Sequence, residues 1–286
     1  MRVALAALAA CSLFACGAPA PAATAAVTSP TGPATSPAAV ITPAPKITNV
    51  SGAVADAATW SGTVNITADT TINRGVTVTV LGGTKIKVVA IPTLTITVRG
   101  TLDIQGTSVA KVTVEPTVAK GHWNRFLIPA GGQLKAHYLV ESGGGFQLVG
   151  GKVTMVDSVM SRASGDLVEG SGSFDIEYSS IGLEPGLVDS THCDMHFNPG
   201  TNQIRVTHTN ISTSVYGTMF YGGTRADFTY DNWFSNTIDI EILTVYPVSG
   251  DFSYGWFARQ APHGPGVTAH NLSSVRLPVG KAGPRP

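Results

Sequence analysis

The chain has 286 residues, and 43% of them are hydrophobic, which is enough apolar material for a continuous core. Only 13% are charged, and 18 basic side chains balance 18 acidic ones to a formal net charge of zero. This balance gives no electrostatic attraction toward phosphate backbones or anionic lipid surfaces, so nucleic acid is excluded as an expected partner.

Residues 1–15 have the pattern of an export signal. Arg2 supplies one cation, an apolar run follows it, and small residues precede a cysteine. A hydrophobic run this short cannot span a bilayer core of about 30 Å as a permanent helix. The pattern therefore predicts a cleaved signal peptide rather than a membrane-spanning anchor.

Residues 13–16, with the sequence LFAC, resemble the lipobox of bacterial lipoproteins, in which the cysteine is acylated and becomes the new N-terminus. Residues 8–11, LAAC, are a competing match that would place the lipid on Cys11. We prefer Cys16, because cleavage there leaves a hydrophobic region of the usual length. A plain secretory signal without lipid is the alternative. Gly17 follows Cys16 where inner-membrane lipoproteins carry Asp, so the resemblance implies sorting to the outer membrane.

Residues 16–46 are built from Ala, Pro, Thr, Ser and Gly with almost no charge. Such a segment cannot bury enough apolar area to offset its ordering entropy, so it is predicted to be a disordered tether. With Cys11 removed and Cys16 acylated, Cys193 is left as the one free thiol. No intramolecular disulfide is then expected, and rigidity must come from hydrogen bonds and packing.

From residue 47 to residue 257 the sequence changes to short runs that alternate apolar and polar residues. Residues 76–80 read VTVTV, and residues 94–98 read LTITV. Period-two alternation with β-branched residues, punctuated by glycine pairs, is typical of short strands with one buried face. Because no helical period interrupts it, the segment is predicted to be all-β.

The second half of this segment repeats one pattern at intervals of roughly 20 to 30 residues, which is typical of a solenoid. Each copy has two inward residues and then a corner, so equivalent residues should stack in columns about 4.8 Å apart. The predicted inward columns are Val153, Phe174, Ile204 and Ala226, and then Met155, Ile176, Val206 and Phe228. The predicted corner column is Asp157, Tyr178, His208, Tyr230 and Tyr254, followed by an asparagine ladder of Ser180, Asn210 and Asn232.

Residues 75–86, GVTVTVLGGTKI, and 98–107, VRGTLDIQGT, resemble the opening coils of bacterial right-handed parallel β-helix repeat proteins, which have the pectin-lyase-like superfamily fold. The likeness covers roughly residues 52–257 and implies a right-handed parallel β-helix. It says little about function, because this scaffold carries pectate lyases, glycoside hydrolases and adhesins. Residues 258–286 contain four cationic residues and no acid, and we expect a cap over the last coil followed by a loose tail.

Residues 192–197, HCDMHF, are the densest group of potential metal ligands. On an extended strand His192 and His196 share one face with Asp194, but they lie about 13 Å apart. Ligand atoms of one ion must lie within about 4 Å of each other, so no metal site is predicted unless the strand breaks. Cys193 should face inward with Met195 and Phe197 as an apolar filler. A metal site stays open as an alternative if residues 182–191 fold back an acid, Glu184 or Asp189.

Asp175, Arg205 and Asp227 form a predicted outward column of alternating charge. The preferred interpretation is a cross-strand charge ladder, and the alternative is a catalytic or sugar-acid site, with calcium if the protein is a lyase. A polysaccharide lyase needs several carboxylates and a base, and a hydrolase needs a carboxyl pair, but no such motif is present.

A second outward groove, beside Gln147, is predicted from residues that share positions in neighbouring coils. Its members are Glu169, His196, Asn198 and Tyr221.

These features predict a lipid-anchored, exported β-helix of the outer membrane with a binding or structural role, and polysaccharide is the preferred ligand. No cofactor is expected. The alternatives are a polysaccharide lyase or glycoside hydrolase, and a surface adhesion or assembly protein. The membrane is reached through the lipid alone, and the oligomeric state is left open.

Overall fold

The computed structural model describes residues 46–183, 192–200, 202–221, 226–242 and 249–286. Within these ranges no residue is helical, and twenty-five strands pair in parallel as a right-handed parallel β-helix, which confirms the predicted fold class. The described part of the chain provides no helix that could span a membrane. The predicted signal peptide, both candidate lipidation cysteines and all of the tether except Lys46 lie outside the described residues.

Three parallel sheets form the walls of the β-helix, and each coil contributes one strand to each sheet, except that the last coil has no strand in sheet 2. Sheet 1 contains β1 (Ile47–Val54), β3 (Thr63–Ile72), β5 (Lys85–Val88), β8 (Val112–Pro116), β11 (Leu139–Ser142), β13 (Val159–Ser161), β15 (Ser180–Gly182), β18 (Asn210–Ser212), β21 (Asn232–Phe234) and β24 (Trp256–Phe257). Sheet 2 contains the second halves of β1 and β3, then β6 (Thr95–Val98), β9 (Arg125–Pro129), the first halves of β12 (Phe146–Val156) and β14 (Val168–Glu177), β16 (Cys193–Phe197), β19 (Tyr216–Phe220) and β22 (Ile238–Ile242). Sheet 3 contains β2 (Ala58–Trp60), β4 (Thr77–Leu81), β7 (Thr101–Gln105), β10 (Gln133–His137), the second halves of β12 and β14, β17 (Gln203–Thr207), β20 (Ala226–Asp227), β23 (Gly250–Asp251) and β25 (Val267–Thr268).

The core is made of the inward columns that the sequence predicts. In sheet 3, Phe174 pairs with Ile204 and Ile176 pairs with Val206, and all four side chains are buried. Phe228 continues the second column and is fully buried. Because the side-chain period of a strand is two, in-register pairing keeps every inward residue of one coil against the inward residue of the next.

The corner after sheet 3 turns through a residue with positive φ in successive coils, at Tyr178 (45°), His208 (55°), Tyr230 (63°) and Tyr254 (62°). Their rings stack face to face, with centroid separations of 4.5, 4.8 and 4.8 Å. This confirms the predicted structural role of His208 as one ring in a stack, and it places the left-handed backbone at a fixed point of each coil.

Polar side chains just after this corner satisfy buried backbone groups. Four backbone amides donate to the side chain of the next coil: Leu139 to Ser158, Ser158 to Ser179, Ser179 to Thr209, and Thr209 to Asp231. The asparagine ladder is also present, because Asn232 donates to Asn210 and Asn210 donates to Ser180. The ladder members bond side chain to side chain between successive coils.

The C-terminal segment lies along the same corner. The amide nitrogen and carbonyl oxygen of Leu277 bond to the side chain of Asn232, and the amide of Gly283 donates to the carbonyl of His208. Arg285 reaches Asp157 with two guanidinium bonds of 2.8 and 2.7 Å. The expectation of a loose tail is therefore wrong for residues 277–285, because corner groups of the coils bind the tail backbone directly.

Candidate functional site

A row of polar side chains crosses successive coils on the outer face of sheet 2. Gln147 pairs with Glu169 in the strand register, and Glu169 pairs with His196. Oε1 of Glu169 accepts hydrogen bonds from both Arg125 and Gln147. The imidazole of His196 meets the ring of Tyr221 edge to face, with centroids 5.4 Å apart. We call these five residues the polar row.

Three of the four residues predicted for this groove, Glu169, His196 and Tyr221, thus lie together with Gln147. The fourth, Asn198, follows β16 and is exposed. Its amide donates to the carbonyl of Gly170, and its own carbonyl accepts from the side chain of Asn202. These bonds involve the backbone of Asn198, so this residue shapes the turn beside the polar row and is not counted in it. Arg125 was missed from the sequence because it lies two coils away from Glu169.

The polar row is a mixed surface with a balanced charge. Burial lowers the pKa of Arg125, although the nearby Asp166 carboxylate opposes this. Burial, together with Glu241, raises the pKa of Tyr221 above its usual value. The row therefore presents a guanidinium, a carboxylate, an amide, an imidazole and a protonated phenol, all of which are hydrogen-bonding groups.

A second group of side chains lies where the chain enters sheet 2, and we call it the Asp166 cluster: Asp166, His192, Cys193 and His196. Oδ1 of Asp166 lies 3.2 Å from Nδ1 of His192, and Oδ2 lies 2.9 Å from Nδ1 of His196. Sγ of Cys193 lies 3.2 Å from Nδ1 of His192. Asp166, Cys193 and His196 each offer one potential ligand atom, and these three atoms all lie within 4.8 Å of one another.

Residues 192–197 do not form one continuous extended strand, so the spacing of about 13 Å expected between the two histidines does not apply. Strand β16 begins at Cys193, so His192 lies before it in a bend, and Asp166 comes from the preceding coil. Both imidazoles therefore turn toward one carboxylate. The carboxyl group of Glu184 or Asp189, which the alternative needed, lies outside the described residues.

The inward face of β16 is as predicted, since Cys193, Met195 and Phe197 are all fully buried. The expectation that Asp194 shares the exposed face is wrong, because its side chain is also fully buried. The physical reason lies at Gly182, where φ is +94° and a Cβ atom would stand 3.0 Å from Oδ1 of Asp194. The missing side chain at Gly182 leaves the space that this carboxyl fills.

Cys193 is not arranged as a catalytic nucleophile. Such a cysteine needs a histidine that accepts its proton through one ring nitrogen while an acid orients the other nitrogen. Here the same nitrogen of His192, Nδ1, faces both Cys193 and Asp166. Burial, followed by the negative charge of Asp166, raises the pKa of the thiol far above its usual value. The thiol is therefore protonated in the absence of a bound cation, which is the opposite of activation.

The charge column on sheet 3 is a set of exposed ion pairs. Asp175 lies 3.0 Å from Arg205, and Glu177 is the second acid bound to the same guanidinium. Asp227 instead accepts bonds from the amide and hydroxyl of Thr229 in its own turn. Arg205 is 47% exposed, and exposed pairs of this kind contribute about 0–1 kcal/mol. The Asp175–Arg205 pair agrees with the charge ladder that we preferred from the sequence, whereas Asp227 bonds to Thr229 instead of extending it.

Comparisons of the chain with protein-family models, with curated proteins and with solved structures returned no match.

Proposed function

We propose that this protein is a lipid-anchored β-helix of the bacterial cell envelope and that its polar row binds polysaccharide. The observation that carries the proposal is the row itself. Hydrogen-bonding groups from successive coils, Gln147, Glu169 and His196, stand in strand register on one outer face, with Tyr221 beside them.

This arrangement suits a sugar polymer for a geometric reason. Coils repeat at the strand spacing of about 4.8 Å, so a chain lying along the helix axis meets a new set of donors and acceptors at each coil. An aromatic ring next to fixed polar groups gives both an apolar contact and orientation, which is how small polar ligands are commonly held. The charge of Arg125 is paired with that of Glu169, which favours a hydroxyl-rich ligand over a strongly anionic one.

Binding is favoured over catalysis because the carboxyl groups near the row already take part in hydrogen bonds within the protein. A glycosidase needs two carboxyl groups on either side of the scissile bond, and one of them must be free to exchange a proton. Glu169 accepts from two donors, and both oxygens of Asp166 face imidazoles. The resemblance to pectin-lyase-like β-helices therefore supports the scaffold more than an enzymatic activity.

Retention on immobilised glycans tests the proposal. Tyr221→Ala and Gln147→Ala should each weaken retention on the bound glycan roughly tenfold, the loss expected when an anchoring side chain is truncated. Arg205→Ala, on sheet 3, is the matched control and should bind like the unaltered protein. A panel of uronate and neutral glycans should show no new unsaturated or reducing ends. Release of such ends, abolished by Arg205→Ala, would instead make the protein an enzyme with its site on sheet 3.

The lipid anchor is tested by labelling with a radioactive fatty acid in a bacterial host. We expect Cys16→Ser to abolish incorporation of label, because the acylated thiol is removed. Cys11→Ser should label like the unaltered chain, since Cys11 is lost with the signal peptide. The reverse result would move the lipid to Cys11. If the unaltered chain itself takes up no label, the protein is secreted without a lipid.

A further inference from the structure

We propose that the Asp166 cluster is a binding site for one zinc ion, with Asp166, Cys193 and His196 as ligands and His192 as the fourth. The site is independent of the glycan proposal, because it rests on the mutual distances and chemistry of these four side chains. They come from two neighbouring coils, since Asp166 lies between β13 and β14, whereas His192 precedes β16 and Cys193 and His196 lie within it.

Three of the donor pairs already lie close to the spacing that the ion requires. Around a tetrahedral zinc ion with bonds of about 2.0 to 2.3 Å, neighbouring donors are separated by roughly 3.3 to 3.8 Å. These pairs are separated by 2.9 to 3.2 Å, which are the distances of hydrogen bonds. The donor atoms of Asp166, Cys193 and His196 all lie within 4.8 Å of one another, so the longest of their separations would shorten by up to about 1 Å around zinc, whereas the hydrogen-bonded pairs would lengthen slightly. His192 lies outside this group of three and would turn toward the ion from its contacts with Asp166 and Cys193.

The ligand chemistry selects the kind of metal. A thiolate, two imidazoles and a carboxylate are ligands of zinc and similar borderline ions, whereas calcium takes six to eight oxygen ligands. The thiolate and the carboxylate together carry two negative charges, which balance a divalent cation. Burial of Cys193 and near-burial of Asp166 keep water from competing, and the half-exposed His192 leaves a route for the ion to enter.

A zinc ion at this position would cross-link two adjacent coils at the edge of the polar row. Residues that bind a metal only in the folded state stabilise the fold by mass action. His196 belongs to both groups, and coordination through Nδ1 fixes its ring while Nε2 stays available to the polar row. The metal would therefore also orient one member of the glycan-binding surface.

Metal content after equilibrium dialysis tests the site in the full chain. Chelator-treated protein should take up one zinc ion per chain, and a cobalt-substituted sample should show a thiolate-to-cobalt charge-transfer band in the near ultraviolet. Cys193→Ser and His196→Ala should each weaken zinc binding roughly tenfold or more, the loss expected when a group that holds or supports a metal is removed. Calcium should not compete.

The controls separate this site from other thiols and histidines of the chain. Cys11→Ser, Cys16→Ser and His137→Ala, an exposed histidine of sheet 3, should each bind zinc as the unaltered chain does. Thermal unfolding of the metal-free variants checks that they fold, and the exposed His192→Ala gives a further variant with weakened binding if Cys193→Ser is unstable. Zinc affinity unchanged in Cys193→Ser and in His192→Ala would overturn the proposal.

Tyr221→Ala should lose glycan retention and keep zinc, so the two proposals fail separately.

Discussion

Replacing Phe228 with alanine is expected to lower the free energy of unfolding by about 3 to 5 kcal/mol, the range for a fully buried phenylalanine. Its ring is stacked on Phe252 with centroids 4.9 Å apart, and it meets Trp233 at 5.9 Å and Phe220 at 5.8 Å. These partners are held by strands of different coils, so they cannot close the cavity without moving the backbone.

Urea denaturation, followed by intrinsic fluorescence, measures this loss. Tyr254→Ala is the matched control, because it also removes a stacked ring but from a position that is 41% exposed. It should cost about 1 kcal/mol, since exposed aromatic pairs contribute little beyond their small buried area. Equal losses for Phe228→Ala and Tyr254→Ala would contradict the assignment of Phe228 to the core.

Arg285→Ala should release the C-terminal tail and destabilise the protein by about 2 kcal/mol. The side chain of Asp157 is only 3% exposed, and Arg285 supplies both of its guanidinium bonds and lies over the ring of Tyr178 at 4.1 Å. Removing one partner of a buried pair leaves an uncompensated charge, which costs about 3 to 5 kcal/mol in a dry site. We expect less here because the arginine is 45% exposed and solvent screens the pair.

Hydrogen exchange of residues 277–285 and limited proteolysis detect the release. Arg285→Lys should have an intermediate effect, because a lysine keeps the charge but cannot make the same two-pronged contact. Arg99→Ala, which removes an exposed arginine elsewhere, should change neither readout. Unchanged protection of the tail in Arg285→Ala would show that the bonds to Asn232 and His208 hold it alone.

The same ion pair predicts a pH dependence. Burial alone would raise the pKa of Asp157, but the hydrogen bonds from Arg285 outweigh it, so the pKa of this carboxyl is lowered in the folded protein. A carboxyl with a lowered pKa stabilises the fold above its unfolded pKa of about 4, and it loses that contribution as the pH falls through the folded value. The stability difference between the unaltered protein and Arg285→Ala should therefore be complete at neutral pH and shrink in acid.

The amino-acid sequence was sufficient to determine the coil architecture and the buried face of its strands, except at Asp194, which is buried where an exposed side chain was expected. Alternating strands identify their buried face locally, and repetition determines which residues are stacked. The pairing of Ile176 with Val206 and the ring column through His208 therefore follow from the repeat pattern alone. The same reasoning brought Glu169, His196 and Tyr221 to one outer face, because residues at the same step of neighbouring coils are adjacent in space.

Only the tertiary structure decided what happens between the strands. Asp166 meets His196 across 30 residues of sequence, and Arg285 meets Asp157 across 128. Neither contact follows the strand period, because both involve bends and the tail, where side-chain direction depends on how the coils stack. Periodicity determines which face of a strand is buried, whereas the direction of a corner side chain depends on neighbours that the fold itself brings into contact.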